Sequence, residues 1–267
     1  MKRKEIISKL TGETLVRNAL MKATAISRPY QLTPELNVIK IGGHGIIDYG
    51  KPVVQPLMEE IGGLSGKHQI LVVTGGGTRV RHIMDIGLDL GMPVGVLSEL
   101  AGKVSEQNAI MIAILLSKYG GVRIKRDDLL DLPMLFRMSC LPVTHGTPPF
   151  GLYEPPVPEG RIPAFRTDTG AFLIAESLGA RRCILVKDVD GLYTEDPRKS
   201  KKAKLIKEIT AADLLEAEME DLVVERKLVE LLRIATNVKE VYIVNGHKPG
   251  NIEKAIKGEN PGTIISS

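Results

Sequence analysis

Tryptophan is absent from the 267 residues, and aromatic residues together make up only 4%. A core must therefore be built from Val, Ile, Leu and Ala, within a hydrophobic fraction of 43%. That composition suits a parallel sheet covered by helices on both faces. Few rings and a net charge of only +4 also argue against a nucleic-acid protein, which would carry a broad basic face with stacking aromatics. The lysine clusters at Lys2-Arg3-Lys4 and from Lys199 to Lys207 read as solvated surface, and small anionic ligands remain compatible. Cysteine is limited to Cys140 and Cys183, both in apolar stretches read as strands. Without zinc-ligand spacing they read as free thiols in a reducing cytosol. No stretch approaches the roughly 18 consecutive apolar residues of a membrane span. No apolar segment follows the basic start, so no secretory signal is expected and a cytoplasmic protein is. The five histidines are scattered. They form no HExxH spacing, and the local signatures of Ser–His and Cys–His nucleophilic enzymes are missing too.

What is present is a grammar of strands that end in glycine. Asn37 to Ile41 is a short apolar strand running into Gly42-Gly43, followed by an amphipathic helix from Pro52 to Leu64. Gln69 to Thr74 repeats the pattern, ending in Gly75-Gly76-Gly77 before a helix from Arg79 to Leu90. Two successive β–Gly–α units are the pattern of a doubly wound sheet with ligands at strand C-termini. Further helices are expected at Val104–Tyr119, Thr167–Leu178, Ala211–Glu218, Val224–Thr236 and Pro249–Lys257. Further strands are expected at Ser139–Thr144 (where Pro142 is unfavourable), Arg182–Val186, Lys239–Asn245 and Gly262–Ile265. Residues 1–35 read as an extension with broken helical periodicity, placed before a domain over residues 36–267. Residues 147–163 hold six prolines and read either as a functional arm or as a rigid surface linker.

Four segments could carry chemistry. Lys40 before Gly42 and Gly43 could cover phosphate charge while the glycines offer backbone N–H groups. Taken alone, Lys40 reads as a strand-end surface lysine. Gly75, Gly76 and Gly77 are more informative, because three glycines cost backbone entropy that a plain turn does not require. Arg79 and Arg81 open the helix behind them, and an oxyanion ligand accounts for glycines and arginines together. Asp168 at a helix start reads either as a carboxylate favoured by the dipole or as the organiser of lysines around a transferring phosphate. Asp188-Val189-Asp190-Gly191 begins like a calcium loop, but position twelve is Lys199 rather than glutamate. It reads as a turn, or as a clamp for a nucleotide's base and ribose with Tyr193 lining it.

In order, Lys-Ile-Gly-Gly, Thr-Gly-Gly-Gly, Thr-Asp-Thr and Asp-Val-Asp-Gly-Leu-Tyr-Thr-Glu-Asp-Pro resemble the amino acid kinase superfamily from about residue 36 onward. The resemblance implies a three-layer α/β/α sandwich around a mostly parallel sheet, of the carbamate kinase type. It implies ATP with Mg²⁺ as cofactor, Lys40 and Asp168 as catalytic residues, and backbone donors at Gly42, Gly43, Gly75 and Gly76. Asp190, Gly191, Tyr193, Asp196 and Pro197 would frame adenine and ribose. Two features depart from the uridylate kinases of that superfamily: the N-terminal extension and the proline arm before Arg166-Thr167-Asp168. A third is Glu99-Leu100-Ala101-Gly102-Lys103 where an Asp-x-x-Gly-Met segment is expected. These features, with Thr78-Arg79-Val80-Arg81-His82, Gln107-Asn108-Ala109, Arg161-Ile162-Pro163 and Val244-Asn245-Gly246, resemble the branch of molybdenum storage proteins, and Lys187 before Asp188 resembles its β-type subunits. That resemblance implies a hollow hexamer, a trimer of dimers, homomeric or completed by α-type subunits. It implies molybdate or tungstate packed inside as clusters at the expense of ATP, with no nucleic acid or membrane involved. The proline arm and His145 would lie near subunit junctions and the cage wall, which makes His145 the candidate metal ligand. Lys187 stands where a carboxylate could help hold Mg²⁺, so the chain is expected either to bind nucleotide without hydrolysing it efficiently or to depend on a partner subunit. The alternative is a small-molecule kinase of uridylate kinase type.

Overall fold

Short apolar runs become strands here, and each glycine-rich exit leads to a helix that returns over the sheet. The structure is a computed structural model and describes residues 29–158, 160–197, 199–219 and 222–267. In chain order the elements are β1 (Leu36–Ile41), α1 (Lys51–Ser65), β2 (Gln69–Thr74), α2 (Thr78–Asp89), α3 (Val94–Leu115), β3 (Gly121–Arg123), α4 (Leu132–Arg137), β4 (Leu141–His145), α5 (Thr167–Leu178), β5 (Arg182–Lys187), β6 (Leu192–Tyr193), β7 (Leu205–Ile206), β8 (Glu208–Thr210), α6 (Ala211–Glu216), α7 (Arg226–Leu232), β9 (Glu240–Asn245), α8 (Asn251–Lys257) and β10 (Thr263–Ser266). Eight strands form one sheet in the order β3-β4-β2-β1-β5-β9-β10-β8. It is parallel from β3 to β9, and β10 runs antiparallel to β9. Strands β6 and β7 form a separate antiparallel ribbon.

The pleat sorts the core into two layers, because alternate side chains point to opposite faces. On one face Leu36 and Val38 of β1 and Cys183 and Leu185 of β5 pack with Phe172 and Ala175 of α5. On the other, Ile39, Ile41, Ile184 and Val186 pack with Leu57 and Ile61 of α1 and Ala109 and Ile112 of α3. Both faces are covered, so the central strands are apolar throughout, which gives the three-layer α/β/α architecture that the family resemblance implies.

Several expectations are corrected. The long helix begins at Val94, ten residues before Val104. Gly95 and Gly102 lower its local propensity, but they let the proline segment approach: a Cβ at Gly95 would sit 2.8 Å from the Leu152 carbonyl oxygen. Cys140 lies in the turn before β4 and is partly exposed, whereas Cys183 is buried in β5. Pro142 does belong to β4. Leu141 donates to Gly120 and Val143 accepts from Ile124 on the β3 side. Pro142, facing the other way, precedes the first β4–β2 pair, Val143 with Val72, so no ladder bond is lost. The short helix expected to start at Asp127 to Leu130 is present as a helical turn, Asp127–Asp131, that runs into α4, whereas the short strands β3 and β6 to β8 lack enough periodicity to be expected. The proposed N-terminal extension lies, as far as residue 28, outside the described residues. Within the compact unit Gln31–Ser267, Thr33 donates its backbone N–H to Leu178 at 3.0 Å. Among the described residues no helix is long and apolar enough to cross a membrane.

Candidate functional site

The pleat that builds the core also builds a charge cluster. Lys40 shares its face of β1 with Leu36 and Val38, and Lys187 shares its face of β5 with Cys183 and Leu185. The strands are neighbours, with Lys40 in register with Leu185. Both ammonium groups therefore emerge on the α5 side, where the first turn of that helix presents Asp168. Lys40 Nζ lies 2.6 Å from Asp168 Oδ1 and Lys187 Nζ lies 2.6 Å from Oδ2. The Lys187 contact is also an aligned hydrogen bond. The Asp168 side chain is 4% exposed, Lys40 6% and Lys187 15%, so Lys40 is not the surface lysine its strand-end position suggested. Burial alone would raise the Asp168 carboxyl, but the Lys187 and Lys40 charges overcome it and hold it well below the usual carboxylate range. Burial, opposed by Asp168 and reinforced by Lys40, pulls the Lys187 ammonium below the ordinary lysine value. Lys40, Lys187 and Asp168 together carry two positive charges and one negative in a largely buried cluster.

The two glycine loops close over this centre from the β1 and β2 ends. A Cβ on Gly43 would lie 2.1 Å from the Gly77 backbone nitrogen, and one on Gly75 would lie 3.3 Å from Lys40 Nζ. Only glycine permits that approach, and at Gly77 a φ of +75° adds a backbone requirement. Asp48 accepts the Thr78 N–H at 2.7 Å, capping α2 from outside the helix. Asn108 of α3 donates to the Gly75 carbonyl at 2.6 Å. Arg79 donates in turn to Gln107 and Asn108. Arg79, expected at the ligand, thus turns outward and braces the loop, and Arg81 lines the cleft instead.

On the β5 side Asp188, Tyr193, Asp196 and Pro197 line the same cleft of about 1050 Å³, together with Lys40, Gly42, Gly43, Gly75, Gly76, Gly77, Asp168 and Lys187. Asp190 and Gly191 do not line it. Asp190 accepts from Asn245 at 2.9 Å and pairs with Lys248 at 2.6 Å, and these contacts hold its carboxyl below the usual range. Gly191, at φ +155°, lets the turn pass Thr263, whose hydroxyl accepts the Leu192 N–H at 2.8 Å. These two residues shape the turn that presents Tyr193. The proline segment folds back rather than standing free. Glu154 is buried beneath it, accepting from Ser98 Oγ at 3.2 Å and Phe165 N–H at 3.3 Å, while Tyr153 is exposed.

His145 ends β4, with burial holding its imidazole below the ordinary histidine value and its Nδ1 without a partner. Among the described residues no group of three or more His, Cys, Asp or Glu is placed to hold a bare metal ion. Sequence reasoning missed Glu225, a buried carboxylate that lines the cleft and caps α5. No local motif marks it, because its partners lie more than fifty residues earlier.

Comparison with known proteins adds four findings. The model of the amino acid kinase family matches residues 35–245. The molybdenum storage protein subunit beta of Azotobacter vinelandii is 40% identical over 263 residues, covering 98% of this chain and 97% of that one. A uridylate kinase from Methanobrevibacter smithii is 30% identical over 86% of this chain and 98% of its own length. Among solved structures, a UMP kinase from Bacillus anthracis superposes with a TM-score of 0.69 at 18% identity, covering 88% of this chain and 96% of that one.

Proposed function

The chain belongs to the amino acid kinase family, and from that premise we propose that it is a nucleotide-binding subunit of an assembly that stores molybdate or tungstate as oxometalate clusters. The observation that carries this reading is the end-to-end 40% identity with a molybdenum storage subunit beta. The cleft fits a nucleoside triphosphate: its volume is ample for such a ligand, its floor is cationic and its glycine loops present backbone donors. ATP phosphates would lie over Lys40 and Lys187, with Asp168 fixing both ammonium groups. Positioning and charge stabilisation are most of what phosphoryl chemistry asks of a protein. Tyr193, Asp196 and Pro197 would flank the base and ribose. Mg²⁺ is usually held by one or two carboxylates plus substrate phosphates; it would arrive with the nucleotide and needs no preformed cage. Lys187 adds cationic charge where a carboxylate could assist the ion. That favours a subunit that binds nucleotide and relies on a partner chain for efficient hydrolysis.

An oligomer, in our reading a hexamer built as a trimer of dimers, is supported by apolar surface on α3 and α4. Ile110, Met111, Ile114, Leu115, Met134 and Met138 are all exposed, and such patches mark interaction surfaces. In this reading residues 36–267 are the kinase-like domain and residues 1–35 its extension. A phosphotransferase of uridylate kinase type is the second reading, favoured by the 30% identity to such an enzyme.

The test is to incubate purified protein with Mg-ATP and molybdate or tungstate, desalt it, and measure retained metal by mass spectrometry. Many metal atoms per chain, dependent on ATP, are expected. Metal at background level, with ATP consumed when a nucleoside monophosphate is supplied, would overturn storage in favour of the kinase.

A further inference from the structure

Helix α5 carries Asp168 in its first turn, yet its own N-cap residue, Arg166, makes no side-chain cap. A helix start leaves four backbone N–H groups to be satisfied, and a nearby Ser, Thr, Asp or Asn usually satisfies one. Here a glutamate 57 positions later does the work. Glu225 Oε1 accepts the Asp168 N–H at 2.9 Å. Its Oε2 accepts the Arg166 N–H at 3.2 Å, the Thr169 N–H at 3.0 Å and the Thr169 hydroxyl at 2.5 Å. The residue is 8% exposed. Burying a carboxylate is expensive unless it is fully hydrogen-bonded, and four donors on two oxygens meet that condition.

The arrangement has two consequences that a local cap would not have. The backbone of Asp168 is clamped by a residue from a separate segment of the chain, while its side chain pairs with both Lys40 and Lys187. Glu225 also ends the segment from Ala217 whose Met219, Leu222 and Val223 line the apolar part of the cleft. The carboxylate therefore ties that wall to the charge cluster.

We propose that Glu225 is a positioning residue: it acts through Asp168, setting where the Lys40–Asp168–Lys187 cluster stands relative to the cleft wall and hence to the phosphates of a bound nucleotide. The inference rests on the nucleotide-binding reading. The negative charge of Glu225 has a second effect on the same cluster, since it helps Lys187 keep its proton against burial.

Asp168→Asn keeps the backbone N–H that Glu225 holds but removes the carboxylate it positions between the lysines, so the effect of Glu225 must be non-additive with Asp168→Asn. The experiment compares wild type, Glu225→Gln, Glu225→Asp, Asp168→Asn and the Glu225→Gln/Asp168→Asn double variant. Mg-ATP affinity is measured by calorimetry and, on the same proteins without nucleotide, the urea midpoint and amide exchange at Asp168 and Thr169. Glu225→Gln is expected to weaken Mg-ATP about tenfold, roughly the effect of losing one charge-assisted contact, while Glu225→Asp recovers part of the loss. Within the Asp168→Asn background the further change should be under about twofold. In the nucleotide-free proteins Glu225→Gln should speed exchange at both amides, and the urea shifts should fail to add. Additive losses on both readouts, or a Glu225→Gln affinity equal to wild type or tighter, overturn the inference; the tighter result would make Glu225 a stand-in for a phosphate. Non-additive urea shifts in a wild type that binds no Mg-ATP would instead overturn the nucleotide reading and leave the positioning role standing.

Discussion

Replacing Asp168 by asparagine is the sharpest perturbation of this molecule. The side chain keeps its shape and loses only its charge, so two ammonium groups, each 2.6 Å from the carboxylate now, face each other across a neutral amide. Removing one partner of a buried ion pair costs about 3–5 kcal/mol, because an uncompensated charge remains. Lys187 sets the ceiling, since it can escape by releasing its proton. Moving a lysine from its ordinary value of 10.5 down to neutrality costs about 1.4 kcal/mol per unit, or ~5 kcal/mol in all. The two routes agree on a loss of about 3–5 kcal/mol at pH 7. They also fix a sign. In the variant the folded-state value of Lys187 lies further below its unfolded value, so the unfolded chain binds more protons in that window and stability rises with pH. The deficit against wild type should therefore shrink between pH 7 and 10. Urea unfolding at both pH values measures it, and adding Lys187→Met to Asp168→Asn should restore more than half of the loss. A deficit under about 1 kcal/mol, a surface-pair value, or one unchanged by pH, would refute the reading of these residues as a coupled buried cluster.

Gly43→Ala should separate the two glycine loops, because its Cβ would meet Gly77 at 2.1 Å; we expect about 1–3 kcal/mol of destabilisation and clear loss of Mg-ATP binding by calorimetry. Unchanged affinity would contradict the convergence of those loops on the phosphates. Asn108→Ala removes the donor to the Gly75 carbonyl and the acceptor of Arg79; thermal unfolding should show a loss of roughly 1–3 kcal/mol, and Arg79→Met should add little to it. His145 has a folded value below its ordinary one, so the folded state resists protonation and stability should fall as pH drops below 6.5, by at most ~1.4 kcal/mol per pH unit. His145→Gln should flatten that slope in urea titrations, and an unaltered slope would assign the acid sensitivity to other groups.

The fold was legible where periodicity and punctuation agreed. Helix Thr167–Leu178 and strand Gln69–Thr74 match the expected bounds, because glycines or helix-start residues mark both ends. The start of α3 was not legible: Gly95 and Gly102 lower helix propensity locally, and their use shows only in the proline segment lying against them. The cleft itself was anticipated from motifs, since strand-end glycines announce themselves locally. The difference between Arg79 and Arg81 was not, because two positions along a helix turn a side chain through more than half a circle and nothing in the sequence says which points inward. The burial of Lys40 follows from sheet order, and Glu225 depends on a contact between segments more than fifty residues apart in the chain. Both are properties of tertiary topology, which local patterns do not encode.

The division of labour between strands and loops bears on how such a chain can change over generations. Lys40 and Lys187 hang from two paired strands in fixed register, so a one-residue slip in β1 would turn Lys40 to the face of Ile39 and Ile41 and dismantle the core with it. The charged centre thus cannot be moved by sliding the strand without loss of the core. The cleft walls belong mainly to segments after β1, β2, β5 and α6, and loops tolerate insertion and exchange far better than strands. A lineage built on this plan is free to rewrite the walls of its cleft, while the Lys40–Asp168–Lys187 cluster is inherited with the sheet.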